Sequence, residues 1–421
     1  MTETGRIYRH GRVSTALSAL GDDRIAALVA GAPLLGSGMG GSASLLDVDG
    51  APVFAKRIPL TDRELGTRST ANLFGLPDFY QYGVGSAGFG VWRELAAHEM
   101  TTEWVLSGEC ALFPLLYHWR VLPGAPPRMP ARDLAADVEY WGTPAVRDRL
   151  EAVEAATNSV VLFCEYFPRN LHEWLSEQDG PDADVLAMVE RDLLAGTKFL
   201  RANGVVHFDG HFGNILTDCR GLYFADLGLA TSSRFDLSPS EREFMARHEL
   251  HDSAYVVTQL VNWLVTELCG ATNRADLVAL VRRAADGEAV VDPPAAAVVK
   301  RYAPVAAVMN AFYGKLHLES RTFPFPTDEL ARSWAALQPS EHARRPAPPR
   351  QGLLQQRGDL DQDVLAAVGG DELDADRHSA FTLPQRQTQR GLAGEVEDDG
   401  EGAMCEELAQ PAVDGVARFI R

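Results

Sequence analysis

The sequence predicts an α+β protein of two lobes, a small antiparallel β lobe followed by a larger helical one. Three observations carry that expectation. Residues 33–58 read as strand, turn and strand around Asp49-Gly50, a pair that favours the backbone of a two-residue hairpin. Beyond residue 184, apolar side chains recur with helical spacing over 184–203, 251–268, 275–285, 295–316 and 327–337. Between the first two of these, residues 205–225 break into very short apolar runs separated by turns rich in His, Asp and Asn. The boundaries that follow are an N-terminal extension at 1–30, a first lobe at 31–165 with insertions at 60–90 and 123–158, a helical lobe at 166–337, and an acidic tail at 338–421.

A chain of 421 residues can bury a sizeable core and fill more than one lobe. Its net charge of -19 and pI near 5.0 speak against a nucleic-acid-coating surface, which needs clustered Lys and Arg. The five cysteines are scattered and form no C-x-x-C pair, so neither a disulfide framework nor a zinc knuckle is indicated. Met1-Thr-Glu-Thr lacks the basic-then-apolar layout of a signal peptide, and no run reaches the roughly eighteen apolar residues of a membrane span. The expectation is a cytoplasmic protein without a membrane span.

Taken in order, residues 13–30 read as one short helix. Gly36, Gly38 and Gly41 then form G-x-G-x-x-G, but a β-leaning run at 42–48 follows where a dinucleotide-binding turn would enter a helix. The pattern is therefore a glycine-rich hairpin, whose backbone can approach phosphate oxygens without Cβ clashes. Lys56 stands on its second strand. It is one of only four lysines, at 56, 198, 300 and 315, and a mobile cation there reaches α- and β-phosphates. Residues 60–90 show no clean period and read as a long loop or a cover on the site. The helix expected at 92–106 carries Glu94, Glu99 and Glu103. Glu103 leads as the partner of Lys56, Glu99 is the alternative one turn away, and an exposed charged face is the plainer reading of any single one. Residues 123–158 read as a second insertion with a short helix. A buried strand at 159–168 ends at Pro168 before a helix, and the backbone from Glu165 to Phe167 is placed to bind an adenine edge. From residue 338 the apolar period is lost and an acidic block fills 395–401, which predicts a mostly disordered tail.

The chemistry concentrates between 204 and 228, where His207, Asp209, His211 and Asn214 share one turn and Asp226 follows a third short run, with Gly228 behind it. An acid, an amide five residues on, and a second acid after a hairpin suit holding Mg²⁺ and orienting an attacking hydroxyl in phosphoryl transfer.

Glycine hairpin, lysine, hinge, acid-amide loop and metal acid occur in an order and spacing similar to the protein-kinase-like phosphotransferase superfamily, which includes bacterial eukaryotic-type Ser/Thr kinases and aminoglycoside or choline kinases. The resemblance runs from Leu34 to about Leu268, and more loosely to Leu337. It implies a bilobal protein-kinase-like fold with ATP and Mg²⁺ as cofactors. Asp209 would accept or orient the acceptor's hydroxyl proton, Asn214 would bind a second Mg²⁺, and Asp226 would bridge Mg²⁺ to the β- and γ-phosphates. His207 would brace the loop, and Asp252 would hold its backbone from below. His211 stands where Ser/Thr kinases place a phosphate-contacting lysine, and it can donate to a γ-phosphate. Phe208 replaces the arginine that pairs with a phosphorylated activation loop, and residues 229–251 are short and lack Ala-Pro-Glu; both speak against such switching. The implied reaction is transfer of the γ-phosphoryl group to a hydroxyl, with Ser/Thr of a protein slightly ahead of a small molecule. Two other readings stand beside it. One is a pseudokinase scaffold that only binds nucleotide. The other is a zinc hydrolase using His207-x-Asp209-x-His211, which leaves Lys56, Asn214 and the glycine hairpin without a role.

Overall fold

The computed structural model describes residues 2–337, apart from Met39, Val84, 127–133 and Asp179. The expectation of a disordered tail at 338–421 falls outside the described residues.

Residues 1–30 form two helices where the sequence suggested one. Helix α1 (Glu3–Ser18) is capped by Thr2, and α2 (Asp22–Ala30) follows after Gly21. Val13, Leu17, Ile25 and Val29 bury one face of the pair in the main core. The polar residues of α1 hide this stripe in a sequence reading, and Arg6 hides best, since it points inward. The residue is 2% exposed, and its guanidinium forks onto both carboxylate oxygens of Glu165 at 2.7–3.1 Å while also donating to the carbonyls of Ala111 and Phe113. An enclosed pair of this kind is costly to break, because the surviving charge is left unpaired. Arg6→Ala is expected to destabilise the chain by about 3–5 kcal/mol in chemical denaturation, with Arg6→Ala/Glu165→Leu recovering much of the loss. Equal losses in the single and double variants would show that the pair is not what matters.

The sheet is small and wholly antiparallel. It contains β1 (Leu34–Gly38), β2 (Gly41–Val48), β3 (Ala51–Leu60), β4 (Leu116–Pro123) and β5 (Asn158–Glu165), in the order β1-β2-β3-β5-β4. The hairpin expected at Asp49-Gly50 is present: Val48 pairs with Ala51, and the two turn residues take φ of 54° and 71°. Gly41 opens β2 at φ 116°, and a Cβ there would lie 2.1 Å from the Arg57 carbonyl oxygen, so only glycine fits.

The two insertions are not independent loops. The first contains α3 (Asp62–Gly66) and a single helical turn at Asp78–Gln81, and leads into α4 (Val91–Leu106). The second contains two helices instead of one, α5 (Leu134–Trp141) and α6 (Pro144–Ala155). Phe74, Leu76, Tyr80 and Phe89 from the first share a core with Trp141, Val146 and Leu150 from the second. Buried Glu64 seals the joint. One of its oxygens pairs with Arg149 at 2.9 Å, and the other accepts the Val91 N–H that starts α4.

The remaining elements are β6 (Arg169–Asn170), α7 (Leu171–Ser176), α8 (Ala183–Ala202), β7 (Val205–Val206), β8 (Ile215–Thr217), β9 (Leu222–Phe224), β10 (Thr231–Ser232), α9 (Pro239–Arg247), α10 (His251–Cys269), α11 (Arg274–Ala285), α12 (Ala295–Leu318) and α13 (Thr327–Ala335). Ser238 starts α9 with a capping box to Glu241, as the Ser-Pro-x-Glu spacing predicts. Helix α10 is buried nearly all round, matching its apolar sequence. The chain is thus a mixed α+β protein, a five-stranded antiparallel sheet with its helices followed by a larger helical part.

Candidate functional site

Two short ladders shape the turn that carries most of the polar chemistry. β8 and β9 form a hairpin with Ile215 opposite Phe224, and the Ala225 N–H continues it to the Asn214 carbonyl at 2.9 Å. This brings Asn214 and Asp226 to the same end of the hairpin. β7 pairs instead with β10, which ties the start of the turn to the segment after Gly228.

Asp252, in the first turn of α10, accepts the N–H groups of His207 at 2.6 Å and Phe208 at 3.0 Å. This is the brace expected of that residue. Its neighbour His251 bonds to Asp252 on one ring nitrogen and to the Tyr313 hydroxyl on the other. Held this way, Phe208 adopts φ 64° and Asp226 φ 55°, left-handed conformations that non-glycine residues keep only when their surroundings impose them. The Phe208 ring is buried against Tyr82, Phe244 and His251, so no cation occupies its place. His207 commits both ring nitrogens to the turn, one to the Ala225 carbonyl and one to the Asp209 N–H.

Asp209 projects from this turn with its side chain 21% exposed. The Asn214 amide donates to Oδ2 and to the Asp209 carbonyl, both at 3.0 Å, and His211 Nε2 stands 3.9 Å from Oδ1. The His211 Nδ1 accepts the Gly213 N–H at 3.1 Å, which leaves Nε2 as the nitrogen that carries a proton in the neutral ring. Burial raises the Asp209 pKa above the usual carboxylate value, with His211 opposing. A raised pKa makes the group a better proton acceptor than an ordinary aspartate.

Facing this turn, Lys56 on β3 lies between two carboxylates, 2.7 Å from Glu94 on α4 and 2.7 Å from Asp226. Burial alone would depress the ammonium, but Asp226 and Glu94 outweigh it and hold the Lys56 pKa above its ordinary value. Desolvation by the surrounding protein pulls Asp226 upward, and Lys56 overrides it, so that pKa is depressed. Glu94, 4% exposed, ends raised, because burial exceeds the help it draws from Lys56. One turn further along α4, buried His98 is pushed down to about 3 by burial and then by the charge of Lys56, and its Nδ1 has no partner.

The structure corrects several sequence expectations. Lys56 pairs with neither Glu103 nor Glu99: Glu103 is exposed, and Glu99 accepts from the Trp119 indole. Helix α4 lays its first turn, not its last, over Lys56. Glu94, His98, Thr101 and Val105 form one buried row, and that row was the available signal. Gly36 and Gly38 lie on β1 with open space where a Cβ would stand; Gly40 is the glycine that approaches Lys56, at 3.3 Å from Nζ to a Cβ built there. The Glu165 N–H is committed to the Leu115 carbonyl and its side chain to Arg6, so neither of these groups is available to a base at the expected edge. Tyr166 and Phe167 remain outside any ladder, with the Phe167 ring 4.1 Å from that of Tyr223. Lys56, Asp226, Asp209, Asn214 and His211 do come together. Among the described residues, no group of three or more His, Cys, Asp or Glu side chains is gathered to hold a metal ion unaided.

No protein-family model matches this chain, and no curated protein sequence matches it. Among the described residues, no helix is long and apolar enough to cross a membrane.

Proposed function

We propose that the chain is an ATP- and Mg²⁺-dependent phosphotransferase of protein-kinase-like fold that moves the γ-phosphoryl group to a hydroxyl. The observation that carries this reading is Lys56 bridging Glu94 and Asp226 opposite the Asp209–Asn214 pair. A lysine so held is a fixed cation for α- and β-phosphates, and Gly40 lets the hairpin backbone close over it. Asn214 and Asp226 fit Mg²⁺ as hard oxygen ligands that leave further positions to phosphate and water. There the ion would neutralise charge on the phosphates. Asp209 would orient the acceptor hydroxyl and take its proton, while His211 Nε2–H would donate to the transferred group. Residues 166–167 would line the base.

The zinc-hydrolase reading is weakened because both nitrogens of His207 serve the turn. Thermal denaturation with Mg·ATP and with ATP alone tests the proposal. Mg·ATP at a hundredfold excess over Kd is expected to stabilise the chain by about 2.7 kcal/mol, and ATP alone by clearly less. No shift with either would overturn the reading.

A further inference from the structure

The acceptor side of Asp209 is covered by the chain's own segment between α3 and α4. Gly83 lies directly over the carboxylate: a Cβ there would stand 2.7 Å from Asp209 Oδ1 and 3.1 Å from Leu229 Cδ1. Gly88 lies against the turn after Asp226, where a Cβ would be 2.8 Å from the Gly228 carbonyl oxygen. Between α3 and Gly83 the segment is anchored firmly. The Gln81 amide donates to the Leu229 carbonyl. The Tyr82 hydroxyl meets His248 Nε2 at 2.5 Å, with its ring enclosed by Phe208, Phe244 and Phe312. Ser240 of α9 donates to Asp78.

A polypeptide acceptor would have to lay an extended chain beside Asp209 and find backbone groups to pair with. Part of that backbone is already paired internally. The Leu229 carbonyl takes Gln81, and Thr231 and Ser232 pair with Val206 and Val205. Exposure survives on the carboxylates themselves, with 21% of the Asp209 side chain and 46% of Asp226 open to solvent. Gly83 and His211 both face the same oxygen, Asp209 Oδ1, so a group that reaches it must fit between them.

We propose that the acceptor is a small hydroxylated molecule, that Gly83 forms the wall that selects it, and that Ser and Thr side chains of proteins are excluded. This rests on the phosphotransferase reading. In the step, the bond from the γ-phosphorus to the ADP oxygen breaks, a bond to the acceptor oxygen forms, and the acceptor's proton passes to Asp209.

The test supplies γ-labelled Mg·ATP and the full chain with a bacterial extract split into a dialysed protein fraction and its low-mass filtrate, with casein as a further polypeptide probe. Label is expected in a new low-mass product and not in protein. Label in casein or in the protein fraction, or in neither fraction, would overturn the proposal. Gly83→Ala and Gly83→Val push a side chain onto Asp209 and are expected to cut low-mass transfer by about a hundredfold, while the Mg·ATP thermal shift stays at its wild-type size. Unchanged transfer in both variants would remove Gly83 from the acceptor wall. A wild-type chain that Mg·ATP does not stabilise would count against the phosphotransferase reading instead.

Discussion

Replacing Asp209 with asparagine leaves Mg·ATP binding in place and lowers phosphoryl transfer by about a hundredfold to ten-thousandfold, the range of a lost general base. The substitution keeps the shape of the side chain and removes only its capacity to take a proton. The turn should survive it, because Asp209 is not what holds the turn: Asp252 grips the His207 and Phe208 amides, and His207 grips the Ala225 carbonyl and the Asp209 amide. The carboxylate's own bond to Asn214 has the Asn214 amide as donor, and the side-chain oxygen of the Asp209→Asn variant can still accept it. Binding and chemistry therefore separate in this variant. Transfer kinetics measured beside Mg·ATP thermal shifts check it; a wild-type rate would remove Asp209 from its assigned role, and a lost shift would mean that it serves nucleotide binding instead.

Which parts of this arrangement are readable in the chain follows from how far apart the interacting residues lie. The β2–β3 hairpin is legible because Asp49-Gly50 specifies its turn from two neighbouring residues. The same holds for the start of α9, where Ser238 and Glu241 close a local capping box. The acid-amide turn is legible because its chemistry sits within a few residues, and Asp252 follows from the resemblance. Arg6 and Glu165 are separated by 159 positions and Glu64 and Arg149 by 85, and no local pattern announces either pair. The first insertion therefore reads as a loop or cover and the second as an insertion with one short helix, although together they build a core and anchor α4. The partner of Lys56 failed for a related reason. All three glutamates of α4 belong to a helix that the sequence does predict, but which turn faces β3 depends on how the helix is docked. Glu64, which accepts the Val91 N–H at the start of α4, and the shared core of the insertions fix that docking from outside the helix.

The docking of α4 makes a second strong expectation. Glu94→Gln keeps the volume of the side chain but removes one of the two charges between which Lys56 is held. Lys56 then has one carboxylate partner where it had two, and is positioned by Asp226, the residue proposed to face the metal, without the opposing pull of Glu94. A cation displaced by about an ångström from its productive position lowers kcat/KM by about tenfold to a hundredfold. Lys56→Met removes the cation itself and costs about a hundredfold to a thousandfold, the scale of losing one group that stabilises developing charge. It also leaves Glu94 buried with its raised pKa and no partner. Because the two residues act as one unit, the double variant should be little worse than Lys56→Met alone, a strong departure from additivity. Glu99→Gln and Glu103→Gln lie on the exposed row of α4 and should leave the rate unchanged. Lys56→Arg should not rescue, since a planar guanidinium is a poor substitute for a compact ammonium between two carboxylates and beneath Gly40. Additive losses in the double variant, or a rate that falls with Glu103→Gln and not with Glu94→Gln, would place the ion pair elsewhere on the helix and break the link between the insertions and the site.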